Sequence, residues 1–197
     1  LRKTAYENYE ILVIDNQSQE QSALDYLASL EANPKVRVLK YDAPFNFSAI
    51  NNFGARHARG QLLGLLNNDI EVTDGGWLRE MASQACRDGV GAVGCLLYYP
   101  DDTIQHAGVL TGLHGVAGHI SVGKPRGDAG YFGRGRLVQN LSAVTAACML
   151  VRKEIFDEVG GLDEGLRVAF NDIDFCLRVR KAGYRNLWTP HAELYHH

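Results

Sequence analysis

The sequence predicts an α/β fold with a mostly parallel central sheet flanked by helices. Two observations predict it. Short apolar runs bounded by turn residues recur at Glu10–Asp15, Val36–Lys40, Gln61–Leu66 and Val90–Tyr98. Between them lie stretches with apolar residues at helical spacing, and strands alternating with helices at this interval argue for parallel strands joined by crossovers.

Each element has its own signal. Glu10–Asp15 is continuously apolar before its terminal aspartate, the pattern of a strand covered on both faces. Leu24, Leu27 and Leu30 place a helix over Glu20–Leu30. Val36–Lys40 reads as the second strand. Ser48 is expected to start a helix reaching Arg59. Gln61–Leu66 is a strand stopped by Asn67-Asn68-Asp69, and Asp74 is expected to cap a helix over Gly76–Arg87. After the strand Val90–Tyr98, the glycine-rich segment Thr111–Leu137 shows no period and reads as a long mobile connection. Ser142–Val151 is apolar and strand-like, and Lys153–Val159 reads as a helix closed by Gly160-Gly161. Tyr184–Trp188 and Ala192–His197 are short terminal segments.

The helix after Phe170 carries the most information. Asn171 fits an N-cap, with Asp174 three residues later in the place of a capping box. Arg178, Arg180 and Lys181 occupy the last turn, where the helix dipole favours cations, and Gly183 suits the left-handed residue beyond it. Asp172 lies in the first turn, where a carboxylate at a cleft edge can take a proton from a bound hydroxyl. In parallel sheets, ligands bind beyond the carboxyl ends of the strands. Asp15 and Asn67-Asn68-Asp69 end the first and third strands, and hard oxygens in such a turn can hold a divalent cation on a diphosphate.

Composition bounds the function. The 197 residues are 46% hydrophobic and 22% charged, ordinary for one globular domain. A net charge of −3 gives no reason to expect nucleic acid as a partner. No apolar run approaches the roughly 18–20 residues of a membrane span. The first ten residues hold no apolar core of a secretory leader, and Cys86, Cys95, Cys148 and Cys176 form no CxxC pair. Free thiols in the cytoplasm are expected, in a protein either cytosolic or peripheral at the inner membrane. With no initiator Met and a polar start, the chain reads as a single domain, residues 1–197, from a longer protein.

Five motifs stand in series: Glu-Ile-Leu-Val-Ile-Asp-Asn at 10–16, Asn-Asn-Phe-Gly-Ala at 51–55, Leu-Leu-Asn-Asn-Asp-Ile-Glu-Val at 65–72, Gly-Gly-Leu-Asp-Glu at 160–164 and Phe-Asn-Asp-Ile-Asp-Phe-Cys-Leu-Arg at 170–178. In this order they resemble the inverting family 2 glycosyltransferases, which have the Rossmann-like GT-A fold. The resemblance implies that Asp15 contacts the nucleotide base and that Asn52 lines the nucleotide site. Asn67-Asn68-Asp69 matches the Asp-x-Asp motif of the family, so Asp69 would bind the metal, with Asn67 replacing the first aspartate. Asn171-Asp172 matches the Glu-Asp pair of the family, making Asp172 the base. The Gly-Gly-Leu-Asp-Glu segment resembles the acceptor side. A histidine near the chain end joins the metal in many such enzymes, and His197 is the expected one; His106 is expected to line the acceptor site.

The implied cofactor is a divalent cation, Mn or Mg, with a nucleotide-sugar donor and a glycan or lipid-linked acceptor. The implied reaction is a single inverting displacement in polysaccharide or glycoconjugate synthesis. A non-catalytic nucleotide- or carbohydrate-binding remnant is the alternative, since Asn67 and Asn171 each remove a charge. A nucleotidyltransferase shares this layout but expects a glycine- and lysine-rich phosphate loop that is absent near the first strand. Lys124, Arg126, Arg134 and Arg136 read as a solvated loop face or a lid. Family members begin with an interior strand ahead of the one at 10–15. Without it, a compensating strand, a homo-oligomer or strand exchange, or a distorted sheet centre is expected.

Overall fold

A computed structural model describes residues 3–197, the side chain of His114 apart. The α/β order holds: β1 (Ile11–Asp15), α1 (Gln21–Leu30), β2 (Val36–Lys40), α2 (Phe47–His57), β3 (Leu62–Leu66), β4 (Ile70–Val72), α3 (Trp77–Ala85) and β5 (Val90–Tyr98). Then come β6 (Ile104–His106), β7 (Val109–Thr111), β8 (Ala117–His119), β9 (Gln139–Leu141), β10 (Cys148–Arg152), α4 (Lys153–Glu158), α5 (Asn171–Lys181) and β11 (Arg185–His196). No helix is long and apolar enough to cross a membrane among the described residues.

The main sheet runs β3-β10-β5-β11-β4, with β6 on β5 and β9 on β11. β5 and β11 are parallel, and β10 runs antiparallel to both β3 and β5, so β3, β5 and β11 share one direction. Every residue of β5 is buried, as its apolar run requires. Its two faces feed two cores. Val93, Cys95 and Leu97 meet Trp77, Met81 and Ala85 of α3, while Leu96 and Tyr98 join the cluster of Phe175 and Val179 from α5.

β1 and β2 form a separate parallel pair. Among the described residues no strand pairing joins this pair to the main sheet. Ile11, Leu12, Val13 and Ile14 are only half-buried, although their pattern is that of a strand covered on both faces.

Several expectations are corrected. Ser142–Val151 is not one strand: pairing starts at Cys148, and residues 142–147 form an irregular segment folded against β5. Thr111–Leu137 is not a loose connection. β7 and β8 form a hairpin, and Arg126 is pinned to Glu193 at 2.6 Å and to the Tyr195 hydroxyl at 2.9 Å. Tyr184–Trp188 and Ala192–His197 are parts of one bulged strand, β11. Ser48 does not cap α2; Asn46 does, accepting from the Ala49 N–H at 3.1 Å. Nor does Asn171 cap α5. Phe170 occupies that position with φ 62°, while Asp174 spends its charge on Arg178 Nε at 2.8 Å. Gly183 does take the left-handed conformation, with φ 99°.

A Cβ on Gly94 would lie 2.5 Å from Val144 Cβ, so segment 142–147 rests directly on β5. Gly94→Ala is expected to destabilise the protein by about 1–3 kcal/mol through overpacking, read as a lowered denaturation midpoint.

Candidate active site

Asp172 is placed by two backbone donors. Its Oδ1 accepts from the Ile173 N–H at 2.8 Å and its Oδ2 from the Ala146 N–H at 3.2 Å. The left-handed Phe170 turns the chain into α5, where the half-buried first-turn carboxylate meets segment 142–147. A cavity of about 240 Å³ opens beside it, walled by Val168–Ile173 on one side and by Val109 and Ala117–His119 of the β7–β8 hairpin on the other.

The Asn67-Asn68-Asp69 turn is anchored to the same segment. The Asn67 N–H donates to the Ala147 C=O at 2.9 Å. Successive residues, Ala146 and Ala147, therefore hold Asp172 and the strand-end turn.

The imidazole facing that turn is His196. Its Nε2 lies 3.1 Å from Asp69 Oδ1 and 3.2 Å from Asn67 Nδ2, and its Nδ1 lies 2.6 Å from Gln105 Oε1. Donation of Nδ1–H to Gln105 makes Nε2 a lone-pair nitrogen in the neutral ring. An imidazole lone pair facing a carboxylate oxygen suits a cation shared between them, with the oriented partner on the other nitrogen that metal-binding histidines use. One carboxylate and one imidazole suit Mn²⁺ or Mg²⁺, while the Asn67 Nδ2 is a donor to the same ring nitrogen. Among the described residues no group of three or more His, Cys, Asp or Glu gathers as a metal site, so a cation held here would draw its other ligands from substrate or water.

His197, the residue expected from the sequence, follows the end of β11; its Nε2 lies 3.1 Å from Glu71 Oε2, and its backbone N–H donates to Asp69 O at 3.1 Å. Lys3 and His197 together hold the Glu71 carboxyl below its usual range.

Asp15 ends β1, where hydrogen bonds from Ser18 hold its carboxyl below the usual range; the Ser18 N–H lies at 3.0 Å. Asn52 departs from the expectation of a nucleotide-lining side chain. Its amide is committed to segment 162–164: Nδ2 donates to Leu162 O at 2.8 Å and Glu164 Oε1 at 3.0 Å, and Oδ1 accepts from the Leu162 N–H at 2.9 Å. Gly161 permits this approach, since its Cβ would fall 2.6 Å from Asn52 Oδ1. His106 does not line the cavity. It is fully buried behind His119, which does. His119 escaped the sequence reading because a glycine-rich segment hid the hairpin; of the terminal pair His196-His197 the sequence favoured His197, since the pair gives no side without its strand register.

With this geometry in place, the comparisons decide the family. The sequence model described as glycosyl transferase family 2 matches residues 1–160. The chain belongs to this family. It is 54% identical to the uncharacterised protein y4gI of Sinorhizobium fredii and 41% identical to the O-antigen biosynthesis protein RfbC of Myxococcus xanthus. Both alignments cover the whole chain but only 22% and 16% of those proteins, so the chain spans about a fifth or less of their length. It is 28% identical to an N-acetylglucosaminyl-diphospho-decaprenol L-rhamnosyltransferase of Mycobacterium tuberculosis, over 95% of this chain and 66% of that one. Two solved structures share the fold. GalNAc-T7 with UDP, GalNAc and Mn²⁺ has TM-score 0.73 and 17% identity, over 95% of this chain and 37% of that one. The mannosyltransferase PcManGT of Pyrobaculum calidifontis, with GDP-Man and Mn²⁺, has TM-score 0.71 and 15% identity, over 98% and 50%. The fold is thus GT-A.

Truncating Asn52 to Ala leaves the Leu162 N–H without its acceptor. The change is expected to cost about 1–3 kcal/mol of stability in a thermal melt.

Proposed function

We propose that this domain transfers a sugar, with inversion, from a nucleotide-sugar to a hydroxyl of a glycan or lipid-linked acceptor, with Asp172 as general base. The observation that carries the reading is the placement of Asp172 on the cavity wall, tied through Ala146 and Ala147 to the Asn67–Asp69 turn. A base and a diphosphate-binding turn held by adjacent residues can act on the two ends of one displacement. The names of the relatives support a role in building surface polysaccharide, and the two solved structures contain nucleotide ligands and Mn²⁺.

In this reading the acceptor enters between the hairpin and the mouth of α5. Asp172 accepts the hydroxyl proton as the oxygen attacks the anomeric carbon, and attack from the face opposite the leaving group inverts configuration. The N–H groups of Ile173 and Ala146 fix the carboxylate before substrate arrives, so little reorientation is needed at the moment of transfer. Asp69 and His196 would hold a divalent cation, whose charge offsets that of the departing nucleoside diphosphate. Asp15, on β1, is the base-side contact for the donor. The Asn67 amide in place of a carboxylate favours one second reading, a domain that binds a nucleotide without turnover.

Asp172→Asn is expected to lower transfer, or donor hydrolysis where water is the acceptor, by about 10²- to 10⁴-fold while leaving donor affinity unchanged. Nucleotide binding with no hydrolysis in the unaltered protein supports the second reading. In calorimetric titration with Mn²⁺ and a nucleoside diphosphate, His196→Ala is expected to weaken metal binding, whereas His197→Ala leaves it intact. The reverse result restores the sequence expectation for His197.

A further inference from the structure

We propose that His119 is an acceptor-binding residue whose Nε2 accepts a hydrogen bond from a sugar hydroxyl beside the one facing Asp172, its ring held in place by the buried His106. The inference rests on the reading of the cavity as the acceptor site and names a second contact within it.

Among the described residues, His119 and Asp172 are the only titratable side chains on the cavity wall, and they come from opposite sides of it. Asn171, the remaining polar side chain there, is buried and turns its amide toward Leu166 O. A sugar ring bridging the cavity therefore finds one side-chain partner on each wall.

The local hydrogen bonds orient the His119 ring. Its Nδ1 lies 3.2 Å from Gln105 O, and a carbonyl can only accept, so Nδ1 carries the proton. His106 Nδ1 lies 3.3 Å from the same N–H, as a second acceptor, with the rings edge to face at 77° and 4.8 Å between centroids. With Nδ1 protonated, Nε2 of the neutral ring keeps its lone pair, and it makes no hydrogen bond to the described residues. An acceptor nitrogen fixed on a cavity wall matches a sugar hydroxyl, which is a donor.

His106 explains why the ring stays put. It has no exposed surface and no part in the transfer step. Burial first, then the neighbouring His119 and His196, push its pKa well down, which keeps it an uncharged acceptor for the His119 N–H. With Nδ1 as the acceptor, the neutral His106 ring carries its own proton on Nε2.

The test uses the native protein with Mn²⁺ and a nucleoside diphosphate. Methyl glycosides of glucose, galactose, mannose, rhamnose and N-acetylglucosamine serve as probes in saturation-transfer NMR titrations. The expected result is binding of at least one glycoside to the unaltered protein. His119→Ala weakens that binding about three- to tenfold, the worth of one neutral hydrogen bond. His119→Gln, whose amide oxygen can accept, recovers most of it, and nucleoside diphosphate affinity is unchanged throughout. Failure of every glycoside to bind, unaltered binding by His119→Ala, or equal losses in the Ala and Gln variants overturns the proposal. Parallel donor hydrolysis by Asp172→Asn separates the two readings: full activity there removes Asp172 as base, while the glycoside titrations still decide His119.

Discussion

The site depends on one short stretch of irregular backbone, Thr145–Ala147. Its N–H and C=O groups escape strand pairing because β10 begins only at Cys148. Backbone groups in a buried segment need partners, and here these are functional candidates: Asp172 for the Ala146 N–H and the Asn67 N–H for the Ala147 C=O. The Thr145 hydroxyl closes the turn by accepting from the Ala147 N–H at 3.3 Å. Ala146 and Ala147 are small, and Gly94 lets the neighbouring Val144 sit against the central strand. A larger side chain at Gly94 would push this backbone outward, and both partners with it.

The two acidic residues at the start of α5 show how position divides identical chemistry. Asp174 lies one turn from Arg178 on the helix surface and forms an ordinary i,i+4 pair, with both side chains about a third exposed. Such pairs contribute only a few tenths of a kcal/mol. Asp172 is two residues earlier, turned inward by the left-handed Phe170, and its oxygens are met by N–H groups instead of a cation. Among the described residues no basic side chain pairs with it, so it keeps the free lone pairs that a base needs.

Much of this was legible in the sequence. Strand–helix alternation, the all-apolar Val90–Tyr98 and the glycine ending α5 are local signals, and they survive folding because tertiary contacts reinforce them. Asp172 was legible as a first-turn carboxylate, though its orientation was not, since it depends on a backbone conformation rare for phenylalanine. The rest was hidden for identifiable reasons. Ser48 looks like a cap, but its hydroxyl donates to Leu166 O at 2.7 Å, and Asn46 takes the cap instead. Choosing His196 over His197 requires the pairing of β11 with β4, which sets His196 opposite Ile70. The β7–β8 hairpin is three residues on each side, too short for a periodic signal, so His119 could not be placed on a wall.

The divided sheet gives α2 a task that its sequence did not suggest. β1 carries Asp15, while Asp69 lies in the turn between β3 and β4 and Asp172 in α5, and among the described residues no strand pairing joins β1 to the main sheet. α2 spans the division. Ile14 of β1 packs where a Cβ on Gly54 would stand, at 3.6 Å, and the Ala55 C=O accepts from Lys153 Nζ at 2.7 Å at the start of α4. Its first turns then grip the segment that leads into α5: Phe47 N–H to Arg167 O at 2.9 Å, Asn46 to Glu164 O at 2.8 Å, Ser48 to Leu166 O, and Asn52 to Leu162 and Glu164. Side-chain amides and hydroxyls of α2 and its cap thus set the distance between Asp15 and Asp172. Asn52 is buried, and its amide holds Leu162 and Glu164 against α2.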